Sequence, residues 1–176
     1  MSDLQCAATF LVVAPGDDRQ ADPAFPDNGG ALSDQGRGQV HQLVGQVRTR
    51  RVAAVYSSRV RPALESAELA ASELGLAPVV VDGLQELSAD DLALGSPDAG
   101  RRFTEAIEAI ADVHRGETVL VFTHVAVMSL ALPRAWVNAG NGSASGPLPG
   151  CAVAQVEVDA DGWRLVSWPG TDRLSL

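Results

Sequence analysis

The residues able to do chemistry in this chain sit at the ends of its apolar runs. Thr118-Val119-Leu120-Val121-Phe122-Thr123 is the strongest buried-strand pattern, and His124 stands where it gives way to a helical segment from Val125 to Leu132. A histidine at a strand end can serve as acid, base or donor to an oxyanion, or can be a hydrogen-bonded core residue. Ser57-Ser58 follow a second apolar run, Val52-Ala53-Ala54-Val55-Tyr56, and their hydroxyls suit either an anion near a helix N-terminus or helix capping. The first run, Phe10-Leu11-Val12-Val13, opens into Ala14-Pro15-Gly16-Asp17, at the edge where α/β sheets carry reactive groups. There, Ala14 has no functional group, and Pro15 has no nucleophile, no titratable proton and no backbone N–H. Asp17 and Asp18 come next, but an aspartyl-phosphate route would want Mg²⁺ and a cationic clamp that no residue pattern supplies.

Composition narrows the classes. The 176 residues fit one domain, 1–176, with one core, and 46% hydrophobic and 20% charged residues are ordinary for a soluble globular chain. Thirteen basic residues against 22 acidic ones give a net charge of −9, which repels nucleic acid and anionic membranes. Every basic residue is Arg; the absence of Lys excludes Schiff-base chemistry and a phosphate-binding P-loop. Cys6 and Cys151 lack CxxC spacing, so reduced thiols are expected rather than a zinc site or redox pair. No apolar run approaches the ~18 residues of a membrane span, and Met1-Ser2-Asp3-Leu4 lacks a basic signal start, so a cytoplasmic protein is expected.

Periodicity supplies the scaffold. Residues 18–32 read as a polar loop, after which Ser33 caps a helix burying Gly36, Val40, Leu43, Val44 and Val47. Pro62 suits the first turn of the next helix, with an inward stripe of Ala63, Ala67, Ala70, Ala71 and Leu74 before Gly75 ends it. A third strand is predicted over Pro78–Asp82, and a third helix from Ala99 to His114 packs Phe103, Ala106, Ile107, Ile110 and Val113 before Gly116. Pro133 should stop the helix after His124, and residues 138–150 form a Gly-, Ser- and Pro-rich loop. Ala152 to Val158 and Trp163 to Trp168 flank an Asp159–Gly162 turn as an antiparallel hairpin. The whole describes an α/β fold, a three-layer α/β/α sandwich with a mainly parallel sheet and a C-terminal antiparallel hairpin. His41 and His114 occupy polar helix positions and are expected at the surface, and Trp136, Trp163 and Trp168 are packing residues.

Taken in order, these segments resemble the histidine phosphatase superfamily, also called phosphoglycerate mutase-like, over nearly the whole chain. Members open with L-V-R-H-G-E, and Val12-Val13-Ala14-Pro15-Gly16-Asp17 occupies that register with Ala14 for Arg and Pro15 for His. L-T-x-x-G-x-x-Q-A is similar to Leu32-Ser33-Asp34-Gln35-Gly36-Arg37-Gly38-Gln39-Val40. S-S-P-L-x-R-A-x-x-T-A is similar to the run from Ser57 to Ala67, where the second pocket Arg falls on Pro62. Leu84-Gln85-Glu86 resembles L-x-E, Thr123-His124-Val125 resembles S-H-G, and Trp168 to Leu174 echoes W-N-D-T-A-H-L.

The resemblance implies chemistry in which the first His attacks phosphorus, two Arg and a second His hold the phosphoryl oxygens, and an acid protonates the leaving oxygen. Carried over residue by residue, His124 is the second His and Glu86 the acid, while the nucleophile and both Arg are missing. Two lost charge-assisted contacts remove about 1.5–3 kcal/mol apiece from dianion binding. Arg61 lies one residue before the expected Arg, an offset of about 100° on a helix, and Arg59 is a second candidate; each either reaches the cleft or is a solvated first-turn residue. Glu86 is either the cleft acid or an exposed carboxylate.

A catalytically degenerate member is therefore expected: a pseudoenzyme that binds a small molecule or a protein partner in a remnant cleft around Gly16, Asp17, Ser58, Arg59, Arg61, Glu86 and His124, without metal or cofactor. The alternatives are a weak phosphatase using His124 and Glu86 with help from Arg59 or Arg61, and acid–base chemistry by the same pair on an unphosphorylated substrate.

Overall fold

Strand β1 (Ala8–Val13) has apolar side chains on both faces because it lies inside the sheet, and its alternation divides the core in two. Phe10, Val12 and Ala14 join one buried cluster, while Leu11 and Val13 join the other. The computed structural model describes residues 6–19, 29–86, 97–134 and 148–169. With β2 (Val52–Ser57), β3 (Pro78–Val80), β4 (Thr118–Phe122), β5 (Val153–Asp159) and β6 (Gly162–Ser167) it forms a six-stranded sheet in the order β3-β2-β4-β1-β5-β6. The first four of these strands in space run parallel; β5 and β6 are antiparallel.

Helices α1 (Asp34–Val47) and α2 (Arg61–Leu74) cover the Leu11 face, and α3 (Pro97–Val113) and α4 (Val125–Arg134) cover the Phe10 face. The result is a three-layer α/β/α sandwich. Because β1 and β2 lead to helices on one face and β4 to a helix on the other, a crevice opens at the C-terminal end of β4, where such sheets bind ligands.

Local signals explain most boundaries. The Ser33 hydroxyl accepts the Gly36 N–H at 3.0 Å to start α1, whose buried face is the predicted one. Gly75, at φ 71°, ends α2 in the left-handed conformation that glycine adopts without strain.

Four expectations need correction. β3 stops at Val80 because Asp82–Leu84 turns helical. The turn holding Pro133 stays helical through Arg134, although proline cannot donate to the carbonyl one turn back. Val113 is 73% exposed, since it lies about 200° around the helix from the buried Ala111. His114 is not a surface residue: α3 ends beside it, and its ring folds back so that Nε2 lies 2.9 Å from Tyr56 Oη and Nδ1 2.7 Å from Glu117. Trp136, residues 138–147 and Gly170 to Leu174 lie outside the described residues.

The loop after β1 lies directly on the first turn of α1. A Cβ on Gly36 would stand 2.1 Å from the Asp17 carbonyl oxygen, whereas one on Gly45 of the same helix would meet nothing within 4 Å. Gly36→Ala is expected to destabilise the fold by about 2 kcal/mol or more through forced separation of loop and helix. Gly45→Ala should stabilise it by about 0.5–1 kcal/mol through helix propensity. Urea denaturation of the two variants against wild type checks both signs.

Candidate functional site

Backbone bonds running past the strand ends assemble the site. The Ser58 N–H donates to the Phe122 carbonyl at 3.1 Å, and the Thr123 N–H donates to the Val13 carbonyl at 3.0 Å. These bonds set the residues after β2, β4 and β1 side by side. The Thr123 hydroxyl donates to the Leu84 carbonyl at 2.9 Å and so ties down the segment that carries Glu86. His124 caps α4, its carbonyl accepting the Met128 N–H at 2.9 Å.

The His124 ring bridges two elements. Its Nε2 lies 2.8 Å from Ser58 Oγ, and its Nδ1 lies 3.4 Å from Glu86 Oε2. Ser58 is fully buried and His124 is 4% exposed, whereas the Glu86 side chain is 52% exposed. Burial pushes the His124 pKa down to about 4, so the imidazole is neutral at neutral pH. A neutral ring with its proton on Nδ1 directs that N–H toward Glu86 and offers the Nε2 lone pair to the Ser58 hydroxyl. Glu86 is shifted the other way, its pKa raised by burial and then by the negative charge of Asp18. The site therefore holds an uncharged imidazole beneath a mouth bearing two carboxyl groups.

The other sequence-predicted residues are placed as follows. Ala14 is fully buried in the apolar core, and its N–H donates to the Ala152 carbonyl at 3.0 Å. The Pro15 carbonyl accepts the Cys151 N–H at 3.1 Å. The Gly16 N–H donates to Ser66 Oγ at 3.1 Å, and that hydroxyl donates to the Pro62 carbonyl at 2.7 Å, a buried link between the loop and α2. Asp17 faces α1, its carboxylate accepting from Gln35 and Gln39 at 2.6 and 2.8 Å. Its charge and, more strongly, burial push the Cys151 thiol up to about 12. A Cβ on Gly29 would lie 2.7 Å from Pro62 Cδ, so the backbone there is packed directly on the proline ring.

Both candidate arginines are held by carboxylates. Arg59 pairs with Asp82, and Arg61 donates to Glu65 at 2.7 Å. Burial alone would raise the Glu65 pKa, but the bonds from Arg61 and from the Leu32 amide bring it below the usual value. Among the described residues no group of three His, Cys, Asp or Glu side chains is arranged to hold a metal ion. No described helix is long and apolar enough to cross a membrane.

Sequence reading placed Ser58, Glu86 and His124 in one cleft but missed the bond joining Ser58 to His124, and it missed Asp18 as a neighbour of Glu86. The available signal was positional: both Ser58 and His124 follow strands that become neighbours in the sheet.

A mainly parallel sheet with an antiparallel C-terminal pair, helices on both faces and a switch of faces at β4 match the phosphoglycerate mutase-like class of α/β fold. The family model of the histidine phosphatase superfamily (branch 1) matches residues 25–96 and 95–171, and the chain belongs to that superfamily. No curated protein matches the sequence. Among solved structures, YhfR of Bacillus stearothermophilus is similar at 22% identity, with a TM-score of 0.72, over 91% of this chain and 96% of that one. A phosphoglycerate mutase from Bacillus anthracis is similar at 14% identity, with a TM-score of 0.74, over 94% of each chain. A mycobacterial glucosyl-3-phosphoglycerate phosphatase is similar at 16% identity, with a TM-score of 0.71, over 92% of this chain and 98% of that one.

The neutral, buried His124 makes stability depend on pH with a definite sign. An unfolded chain protonates this residue near 6.5, while the folded chain resists until about 4. Its contribution is present above pH 6.5 and is lost as the pH falls toward 4, by on the order of 3 kcal/mol in all. Histidine proton resonances followed by NMR should show His124 titrating near pH 4. Chemical denaturation of His124→Gln should show a weaker loss of stability over the same pH range.

Proposed function

We propose that this protein is a histidine phosphatase superfamily member that does not carry out phosphohistidine chemistry, and that its cleft binds an uncharged or cationic small molecule. The observation that carries this reading is the charge state of the cleft: a neutral His124 beside Glu86 and Asp18, with Arg59 and Arg61 drawn to other carboxylates. A phosphomonoester dianion entering it meets like charge and, among the described residues, no guanidinium fork. The position that aligns with the nucleophile is Pro15, and the chain's three histidines are His41, His114 and His124. His41 pairs with Glu73 from α1, and His114 lies at the far end of α3, so neither stands in for it.

A weak phosphatase is the second reading, favoured by one observation: the raised pKa of Glu86 suits a general acid next to His124. Phosphate release from aryl phosphates and phosphoglycerates separates the two. No release above background is expected from wild type, and release that disappears in His124→Ala would establish the second reading.

Restoring the missing groups together, as Ala14→Arg, Pro15→His and Pro62→Arg, is expected to leave phosphatase activity at background and to lower the melting temperature. Ala14 is enclosed by the core and Pro62 by the Gly29 backbone, so the new side chains meet packed groups. A gain of activity would mean that the pocket had kept its shape.

A further inference from the structure

We propose that Ser58, His124 and Glu86 form a nucleophile, general base and orienting carboxylate that cleave a neutral carboxylic ester. The proposal goes beyond the non-phosphatase reading and assigns the cleft a reaction. It rests on geometry: Ser58 Oγ to His124 Nε2 at 2.8 Å, and His124 Nδ1 to Glu86 Oε2 at 3.4 Å, with the first two residues buried. A hydroxyl in hydrogen-bond contact with an imidazole, itself oriented by a carboxylate, is the arrangement that activates serine, and in the resting enzyme its outer bond is often long. The chain segments supplying the three groups come from the ends of β2 and β4 and from the turn after β3, so no local motif joins them.

The same surroundings select the electrophile. Glu86 and Asp18 oppose an anionic phosphoester, whereas an uncharged acyl group pays no such penalty. Ser58 lies three residues ahead of α2 and two ahead of its N-cap Val60, whose N–H donates to Ser58 Oγ at 3.3 Å. Beside the Glu86 segment, an open groove of about 530 Å³, whose lining includes the arginines Arg59 and Arg102 and the carboxylates Asp82 and Glu105, has room for the remainder of the ester. Ser58 Oγ is covered in this structure, so the reaction requires that it become exposed with Glu86 still beside His124.

The atoms balance without a cofactor. Ser58 Oγ bonds to the ester carbon while its proton passes to His124 Nε2, and the imidazolium is held toward Glu86. Collapse breaks the carbon–oxygen bond to the alcohol, which leaves with the proton from Nε2. Water then attacks the acyl-serine, again giving a proton to Nε2; Ser58 takes that proton back as the acid departs.

The full chain is treated with a small alkyl fluorophosphonate and, separately, with p-nitrophenyl acetate, and the modified residue is located by peptide mass spectrometry. Wild type is expected to carry the adduct on Ser58 at a rate that is flat between about pH 5 and 8, because a neutral imidazole is present throughout. Uncatalysed attack through hydroxide would instead rise tenfold per pH unit. Ser58→Ala should abolish the adduct, and His124→Gln should slow it by about a hundredfold or more. Glu86→Gln should slow it as well, with partial rescue by Glu86→Asp, as fits a positioning residue. Absence of an adduct on Ser58 in wild type, an adduct elsewhere, or an unchanged rate in folded His124→Gln would overturn the proposal. The wild-type result does not depend on any variant folding. Failure here leaves the non-phosphatase reading standing, since that reading fails only on release of phosphate.

Discussion

Keeping His124 uncharged is the constraint on which the site depends. An imidazolium at rest would need a buried anion in contact with it, and the nearest described carboxylate stands 3.4 Å away and half in solvent, so a charged ring is only a transient. The alternative is a neutral ring whose Nε2 is bonded to Ser58 and whose Nδ1 faces Glu86, and that is the arrangement present. From this follows the burial of Ser58, the anchoring of the Glu86 segment by Thr123, and the absence of any requirement for nearby arginine.

Phosphoryl transfer imposes the opposite demand. A dianion is held by fixed positive charge, and in a chain of net charge −9 that charge must be concentrated locally. Here the guanidinium groups nearest in sequence to the cleft are neutralised by Asp82 and Glu65, while Ala14, Pro15 and Pro62 contribute packing instead. The sandwich and its strand order do not by themselves decide the chemistry placed on them.

Much of the architecture was legible because it rests on local rules. The buried face of α1 follows from 3.6-residue spacing, the Ser33 cap from its hydroxyl, and the β5–β6 hairpin from alternation around a polar turn. The missed features are those that depend on neighbours distant in sequence. Ser58 and His124 are separated by 66 positions and meet only because β2 and β4 pair. His114 finds Tyr56 across 58 positions for the same kind of reason. Arg59 could be assigned a direction only once Asp82, 23 positions on, had been located beside it, whereas the Arg61–Glu65 pair is a local four-residue spacing on α2.

The exposed rim of the sheet at β3 bears on how this protein behaves at high concentration. Val79 and Val80 are 48% and 44% exposed on a strand whose outer side has no partner among the described residues, the arrangement from which chains recruit one another edge to edge. Two features blunt that tendency. The strand is three residues long, and Pro78 opens it without a donor, so an incoming chain finds too short and too incomplete a ladder to stack upon. Solubility at this edge thus rests on brevity and on a missing amide hydrogen, and it does so without the lysines that many proteins station there, a residue this sequence does not contain.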